Sequence, residues 1–208
     1  CFNAIKKELF RLIEKQTVHH RGPFMKIYII GSVGSGKTTL ARKLALRLSI
    51  THYETDNFVW DRQPGGDVRN SIEIRNALFR EAIKQSTWII EGVHTEWTQE
   101  GFQEAEHIIF LDTQLNTRKV QLLKRFIRQV LGREPSNYKP TFTILRNMYV
   151  WNNHFEHEMK PTLLQTLQPY KVKLKVIKSN EQVEEVQKHL QPVTERRRLK
   201  KDSQYAFK

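Results

Sequence analysis

The chain has 208 residues, enough for one well-buried domain and too few for two full-sized ones. Its 35 Lys and Arg against 22 Asp and Glu give a net charge of +13, a balance that points to nucleic acid or to phosphorylated small molecules. The one cysteine, Cys1, excludes an intrachain disulfide and argues for a cytoplasmic protein, and no apolar run reaches the ~20 residues that would cross a bilayer.

Residues 1–24 are expected to be an N-terminal extension. Met25 directly precedes the first strand-like run, so translation is expected to begin there natively; the alternative is a docked amphipathic helix built on Phe2, Ile5, Leu9, Leu12 and Ile13. A domain is predicted over 25–190, in which β-branched apolar runs alternate with helix-period stretches, the pattern of a parallel sheet flanked by helices. Its first strand, 26–30, runs into Gly31, Ser32, Val33, Gly34, Ser35, Gly36, Lys37 and Thr38, which satisfy G-x-x-x-x-G-K-[ST], with Thr39 next. Glycines let such a loop curl until successive N–H groups point inward at phosphate oxygens, and the following helix adds its positive N-terminal end. Lys37 would reach the β and γ phosphates of a nucleoside triphosphate, and Thr38 would ligate Mg²⁺. The bland alternative is a glycine-rich turn before an ordinary helix; the complete pattern with both flanks favours the cradle. In the helix itself Leu40, Leu44 and Leu48 fall four apart, with Arg42, Lys43 and Arg47 on other faces.

Further strands are predicted at 51–54, 88–91, 108–112 and 173–177, with helices at 71–85, 115–130, 142–158 and 180–190. Asp56 follows the second strand, Glu91 ends the third and Asp112 ends the fourth, at the strand ends where an open α/β sheet places its ligands. Asp112 either belongs to the site or caps the helix that starts near Leu115. His94, Trp60 and Trp97 either line an acceptor pocket or pack under loops. Arg118, Arg125 and Arg128, spaced by seven and three, share one helix face; it is either a phosphate-binding face or a solvated basic one. The turn-rich segment 132–140 (GREPSNYKP) is a predicted mobile loop, and 191–208 a basic C-terminal tail. No D-x-x-G with a later N-K-x-D marks a GTPase, and no strand ends in an Asp-Glu pair of the hydrolytic type. Single acids suit transfer to a second small molecule better than hydrolysis.

The P-loop, the Glu91-Gly92 pair ending an apolar strand, the Phe110-Leu111-Asp112 strand and the Arg-rich helix leading into a short loop resemble adenylate kinase and its relatives, shikimate and gluconate kinases among them. Together "IIGSVGSGKTTLARKLA", "HYETDNFVW", "WIIEGVH" and "IIFLD…R…KR" narrow the likeness. The resemblance is closest to the FlaR-related group, bacterial proteins labelled "DNA topology modulation" but built like small kinases, and it spans 25 to about 190. It implies an α/β P-loop NTPase fold, with a five-stranded parallel sheet of order 2-3-1-4-5 flanked by helices and a short lid at about 131–141. ATP and Mg²⁺ are the implied cofactors. Glu91 matches the position where adenylate kinases carry Asp before Gly, an acid that helps order Mg²⁺ and its waters; the structural alternative is a capping or ion-paired Glu. The arginines near the lid, Arg133 included, would offset charge on the transferring phosphoryl group, and one would stack on adenine. Asp56 is read as the carboxylate that takes or orients the proton of an acceptor hydroxyl, with an Asx-turn cap as its alternative.

The expected function is ATP-dependent phosphoryl transfer to a small-molecule acceptor: a hydroxyl-bearing metabolite, nucleoside or nucleotide. The alternative is an ATP-binding, nucleic-acid-associated regulator without kinase activity, drawn from the group's label and the basic ends; no helix-turn-helix signature or interleaved aromatic and basic surface accompanies it.

Overall fold

The computed structural model describes residues 25–190 apart from 64, 65, 135, 137 and 138 and the side chain of Asn180. The expectations placed on 1–24 and 191–208 lie outside the described residues. Met25–His189 is one compact unit.

Strand β1 (Met25–Gly31) leads into helix α1 (Lys37–Leu48), then β2 (His52–Glu54), the single turn α2 (Asp56–Val59), and the short strands β3 (Trp60–Asp61) and β4 (Val68–Arg69). Helix α3 (Ile72–Lys84), β5 (Thr87–Gly92), α4 (Gln99–Glu104) and β6 (His107–Leu111) follow. Next comes the long helix α5 (Leu115–Val130), then α6 (Phe142–His154), a π-helical turn Phe155–Met159, α7 (Lys160–Leu167) and a 3₁₀ turn Gln168–Tyr170. Strand β7 (Leu174–Ile177) and helix α8 (Asn180–His189) complete the unit.

The main sheet has the order β2-β5-β1-β6-β7, and its neighbouring strands pair in parallel. With the antiparallel pair β3 and β4 set aside, this is the expected 2-3-1-4-5 order. A parallel strand covered on both faces is apolar at every position rather than at alternate ones, which is why 27–30 reads as an unbroken run. Tyr28, Ile30, Trp88, Ile90, Ile108 and Phe110 project into one core with Phe58, Phe79 and Phe102. By alternation Ile27, Ile29, Ile89 and Ile109 project to the other face, where they are equally buried. Leu40, Ala41 and Leu44 are the buried residues of α1, which packs on β1 and β5. Because β1 pairs in parallel with both β5 and β6, the carboxyl ends of these strands lie together at one edge.

The five strands stand within a residue of their predicted places. The region after α5 departs from expectation. Rather than one helix over 142–158, the chain winds through a π-helical turn into α7, with Pro161 in the first turn of α7. Lys160 N–H donates to the Phe155 carbonyl five residues back, and Pro161, which has no N–H to place, follows where the π-helical turn gives way to α7.

Candidate active site

The loop between β1 and α1 is shaped by Gly34 (φ +75) and Gly36 (φ +92), both in the left-handed region that costs a glycine little. Ser35 N–H donates to the Ser32 carbonyl at 3.2 Å and closes the bend. A side chain at Gly34 would lie 2.9 Å from Leu122 Cγ, so α5 packs directly against the loop. Two further elements anchor it. Ser32 Oγ donates to Asn152 Oδ1 of α6 at 3.1 Å in a fully enclosed contact, and Thr113 Oγ1 donates to the Ser35 carbonyl at 3.1 Å. Ser35 Oγ is buried and has no hydrogen-bond partner among the described residues.

At the start of α1, Lys37 Nζ donates to the Ser32 carbonyl at 2.9 Å and stands 4.0 Å from Glu91 Oε2. Thr38 Oγ1 donates to Glu91 Oε1 at 2.5 Å, and Thr39 is exposed beside it. Glu91 is 4% exposed; burial pushes its carboxyl above the usual carboxylate range, with Lys37 and Thr38 pulling the other way. A hydroxyl and a buried carboxylate within hydrogen-bond distance are hard oxygen donors, and the orphaned Ser35 hydroxyl adds another oxygen in the same loop. The residues fit Mg²⁺ held alongside phosphate oxygens.

Gly92, which follows Glu91, makes a close approach. A Cβ there would meet Thr55 Oγ1 at 1.8 Å, and Thr55 N–H donates to the Glu91 carbonyl at 2.8 Å. This contact seats Asp56, the next residue, beside the end of β5. Its carboxylate is 63% exposed and lies 3.4 Å from His94 Nε2. The hydrogen bond with His94 holds the Asp56 carboxyl below its ordinary range, and Lys37 is near enough to add to that effect. Asp56 is therefore the paired acid of the cleft, and it is also the first residue of the one-turn helix α2.

The aromatic residues take different places. Trp97 packs edge-on against Phe58 and Phe79, with the Arg75 guanidinium 4.5 Å from its ring centre and the His94 ring 5.3 Å away. Trp60 is at the surface on β3. Asp112 is not a helix cap: the cap position of α5 is Gln114, and Asp112 Oδ1 instead lies 2.6 Å from Lys160 Nζ.

The three arginines of α5 share a face but divide between two partners. Arg118 is fully buried, its guanidinium paired with Glu156 of the π-helical turn and 5.4 Å above the Phe155 ring. Its Nε and Nη1 have no hydrogen-bond partner among the described residues. Arg125 and Arg128 both reach Glu134, at 3.5 Å and 2.8 Å, in the connection that follows the helix. Lys160 Nζ also contacts Glu156 at 3.0 Å, so Arg118, Glu156, Lys160 and Asp112 form a continuous charge chain beneath the loop. Sequence reasoning missed Asn152, Glu156 and Lys160. Their spacing was the available signal, because residues four apart lie one above another on a helix.

No protein-family model matches the sequence. Over 131 residues the chain is 28% identical to the uncharacterized protein YqaC of Bacillus subtilis (strain 168), a match covering 61% of this chain and 72% of that one. Two shikimate kinases match over shorter spans. That of Paracidovorax citrulli is 37% identical over 62 residues, and that of Dechloromonas aromatica 46% over 46. These matches span 33% and 24% of the two relatives and 29% and 22% of this chain. Among solved structures, shikimate kinase from Acinetobacter baumannii in complex with shikimate superposes with a TM-score of 0.51 at 16% identity, covering 82% of this chain and 94% of that one. The fold is that of shikimate kinase. Within this P-loop kinase fold the cradle and Glu91 occupy the carboxyl-end edge of the sheet, with Asp56 and His94 next to them. No helix among the described residues is long and apolar enough to cross a membrane.

Proposed function

We propose that the chain is a cytoplasmic ATP-dependent kinase that phosphorylates a hydroxyl group of a small metabolite. The observation that carries the reading is the adjacency of a complete phosphate cradle, with Lys37 and Thr38 against buried Glu91, to the paired acid Asp56. A hydrolase needs only a water-positioning group. A hydroxyl acceptor gains from a carboxylate that removes its proton as the new bond forms.

In this reading the loop amides from Gly31 to Gly36, with Ser32, Val33, Gly34 and Ser35 between them, bind the phosphate chain. Lys37 leaves the Ser32 carbonyl to bind the terminal phosphate oxygens, and Thr39 lies beside the cradle. Mg²⁺ held by Thr38 and Glu91 would supply positive charge to phosphate oxygens. Asp56 accepts the acceptor's hydroxyl proton; the acceptor oxygen bonds to the γ-phosphorus, and the bond from that phosphorus to the leaving oxygen of ADP breaks. Arg125 and Arg128 exchange Glu134 for phosphate oxygens, and Arg118 acts from beneath the loop through Glu156. The connection 131–141 serves as the lid that excludes water.

Shikimate, which the Acinetobacter baumannii protein holds, is a hydroxyl-bearing acid, and the partial identity to two shikimate kinases supports an acceptor of that general kind. The four ordered motifs of 25–190 further support placing the chain in the FlaR-related group. The test is ADP release in the presence of Mg-ATP and a panel of shikimate, other polyols, nucleosides and nucleoside monophosphates. Acceptor-dependent ADP release that disappears in Lys37→Ala is the expected result. No acceptor-dependent release, together with salt-sensitive binding to DNA, would replace the kinase by the nucleic-acid regulator.

A further inference from the structure

We propose that His52, Glu54 and Glu91 form a binding site for a divalent transition ion, of the zinc or manganese class, that clips the edge strand β2 to β5. One ligand atom from each of the three lies within 4.8 Å of the others. The arrangement follows from the register. β2 and β5 run parallel with Glu54 opposite Glu91 and His52 opposite Ile89. Side chains two apart project to the same face of a sheet, so the imidazole and both carboxylates share the α1 side. Helix α1 confirms that side, because Thr38 reaches Glu91 and Arg42, one turn later, reaches Glu54 at 3.1 Å.

The imidazole supplies an independent observation. His52 Nε2 is buried and has no hydrogen-bond partner among the described residues. A buried imidazole nitrogen without a hydrogen-bond partner, on a residue that offers a ligand atom within 4.8 Å of two carboxylates, leaves the ring open to a metal. Ligands about 2.0–2.2 Å from a tetrahedral ion stand roughly 3.4 Å apart, so small side-chain rotations close the set. One nitrogen and two carboxylate donors suit Zn²⁺ or Mn²⁺, whereas Mg²⁺ and Ca²⁺ favour oxygen alone. Three protein ligands leave a further position for solvent. Access comes from the sheet edge, where the Glu54 side chain is 22% exposed and its partner Arg42 61% exposed, a pair weak enough to yield. The consequence is mechanical. β2 is only three residues long and sits at the sheet edge, yet it leads directly into Thr55 and Asp56; an ion bridging it to β5 would fix the strand that aims the acid.

The site shares Glu91 with the Mg²⁺ position of the kinase reading but needs no nucleotide, so its test uses the full chain without one and reads metal affinity rather than turnover. Protein stripped with chelator is titrated calorimetrically with ZnCl₂, MnCl₂ and MgCl₂, and its thermal unfolding is followed with and without each ion. The expected result is saturable Zn²⁺ or Mn²⁺ binding that raises the unfolding temperature, with affinity at least about tenfold weaker in His52→Ala and in Glu54→Gln. Both variants alter an edge strand, and metal-free unfolding like that of the parent shows that they fold. Three results overturn the proposal: no binding of either transition ion, binding undiminished in both variants, or Mg²⁺ bound as tightly as Zn²⁺.

Discussion

At the scale of single residues, the cleft combines two carboxylates driven in opposite directions. Asp56, exposed and hydrogen-bonded with His94, stays ionised below the usual carboxylate range; Glu91, buried in the sheet, resists ionisation. Asp56 was legible as an acid at a strand exit, but its partner was not, since nothing in the sequence sets His94 against a residue thirty-eight positions earlier. Asp56→Asn keeps the side chain's shape and removes its proton affinity. With the acceptor found by the ADP-release panel, kcat should fall by ~10²–10⁴, and single-turnover kinetics would show whether the loss is in the chemical step. Glu91 makes the complementary prediction for stability. A native carboxyl with a raised pKa binds more protons than the unfolded chain, so its contribution to stability falls as pH rises from the ordinary carboxylate value through the raised one. Glu91→Gln removes that cost while keeping an oxygen for Thr38. Because burial is the largest influence on Glu91 and exceeds the attraction of Lys37, the variant should unfold at a higher temperature than the parent at neutral pH. The gap should close as the pH is lowered through the same window, in thermal melts taken at each pH.

At the scale of elements, the strands and the cradle could be read from sequence for different reasons. The strands showed because a sheet buried on both faces demands unbroken apolar runs, and the cradle because its glycines and its Lys-Thr pair answer to chemistry rather than to packing. The one-turn helix α2, the β3–β4 pair and the six-residue α4 were invisible. Each is too short to show a period, and each is held by tertiary contacts, such as Asn70 Nδ2 donating to the Phe58 carbonyl at 3.0 Å. The Glu91-Gly92 pair was noticed only as a resemblance, and the structure gives it a cause. With Thr55 Oγ1 at 1.8 Å from a Cβ on residue 92, Gly92→Ala must push the α2 turn and Asp56 away from β5. The expected cost is about 1–3 kcal/mol in urea unfolding, together with a fall in kcat. Adding Thr55→Ala should restore part of the stability, because it removes the nearest clashing atom. Simple additivity of the two substitutions would refute direct contact as the cause.

At the scale of the whole molecule, the parallel sheet gathers the cradle and the acids at one edge, while α6 and its π-helical continuation support that edge from below. π-Helical turns recur at functional sites. Here the turn carries Glu156 at the centre of the charge chain, and Asn152 one turn earlier holds Ser32 in the loop. The four-residue spacing of Asn152, Glu156 and Lys160 marks one helix face, but their partners Ser32, Arg118 and Asp112 lie 120, 38 and 48 positions away and meet them only in space, although the acceptor-side and phosphate-side motifs were already in the correct order along the chain. Binding of a nucleoside triphosphate by the loop from Gly31 to Thr38 is read out by thermal unfolding with Mg-ATP. A ligand at one hundred times its Kd stabilises the native state by about 2.7 kcal/mol, which for a chain of this size raises Tm by roughly 5–10 °C. Such a rise is expected in the parent chain and none in Lys37→Ala. An unchanged Tm at saturating Mg-ATP, or an equal rise in both proteins, would contradict it.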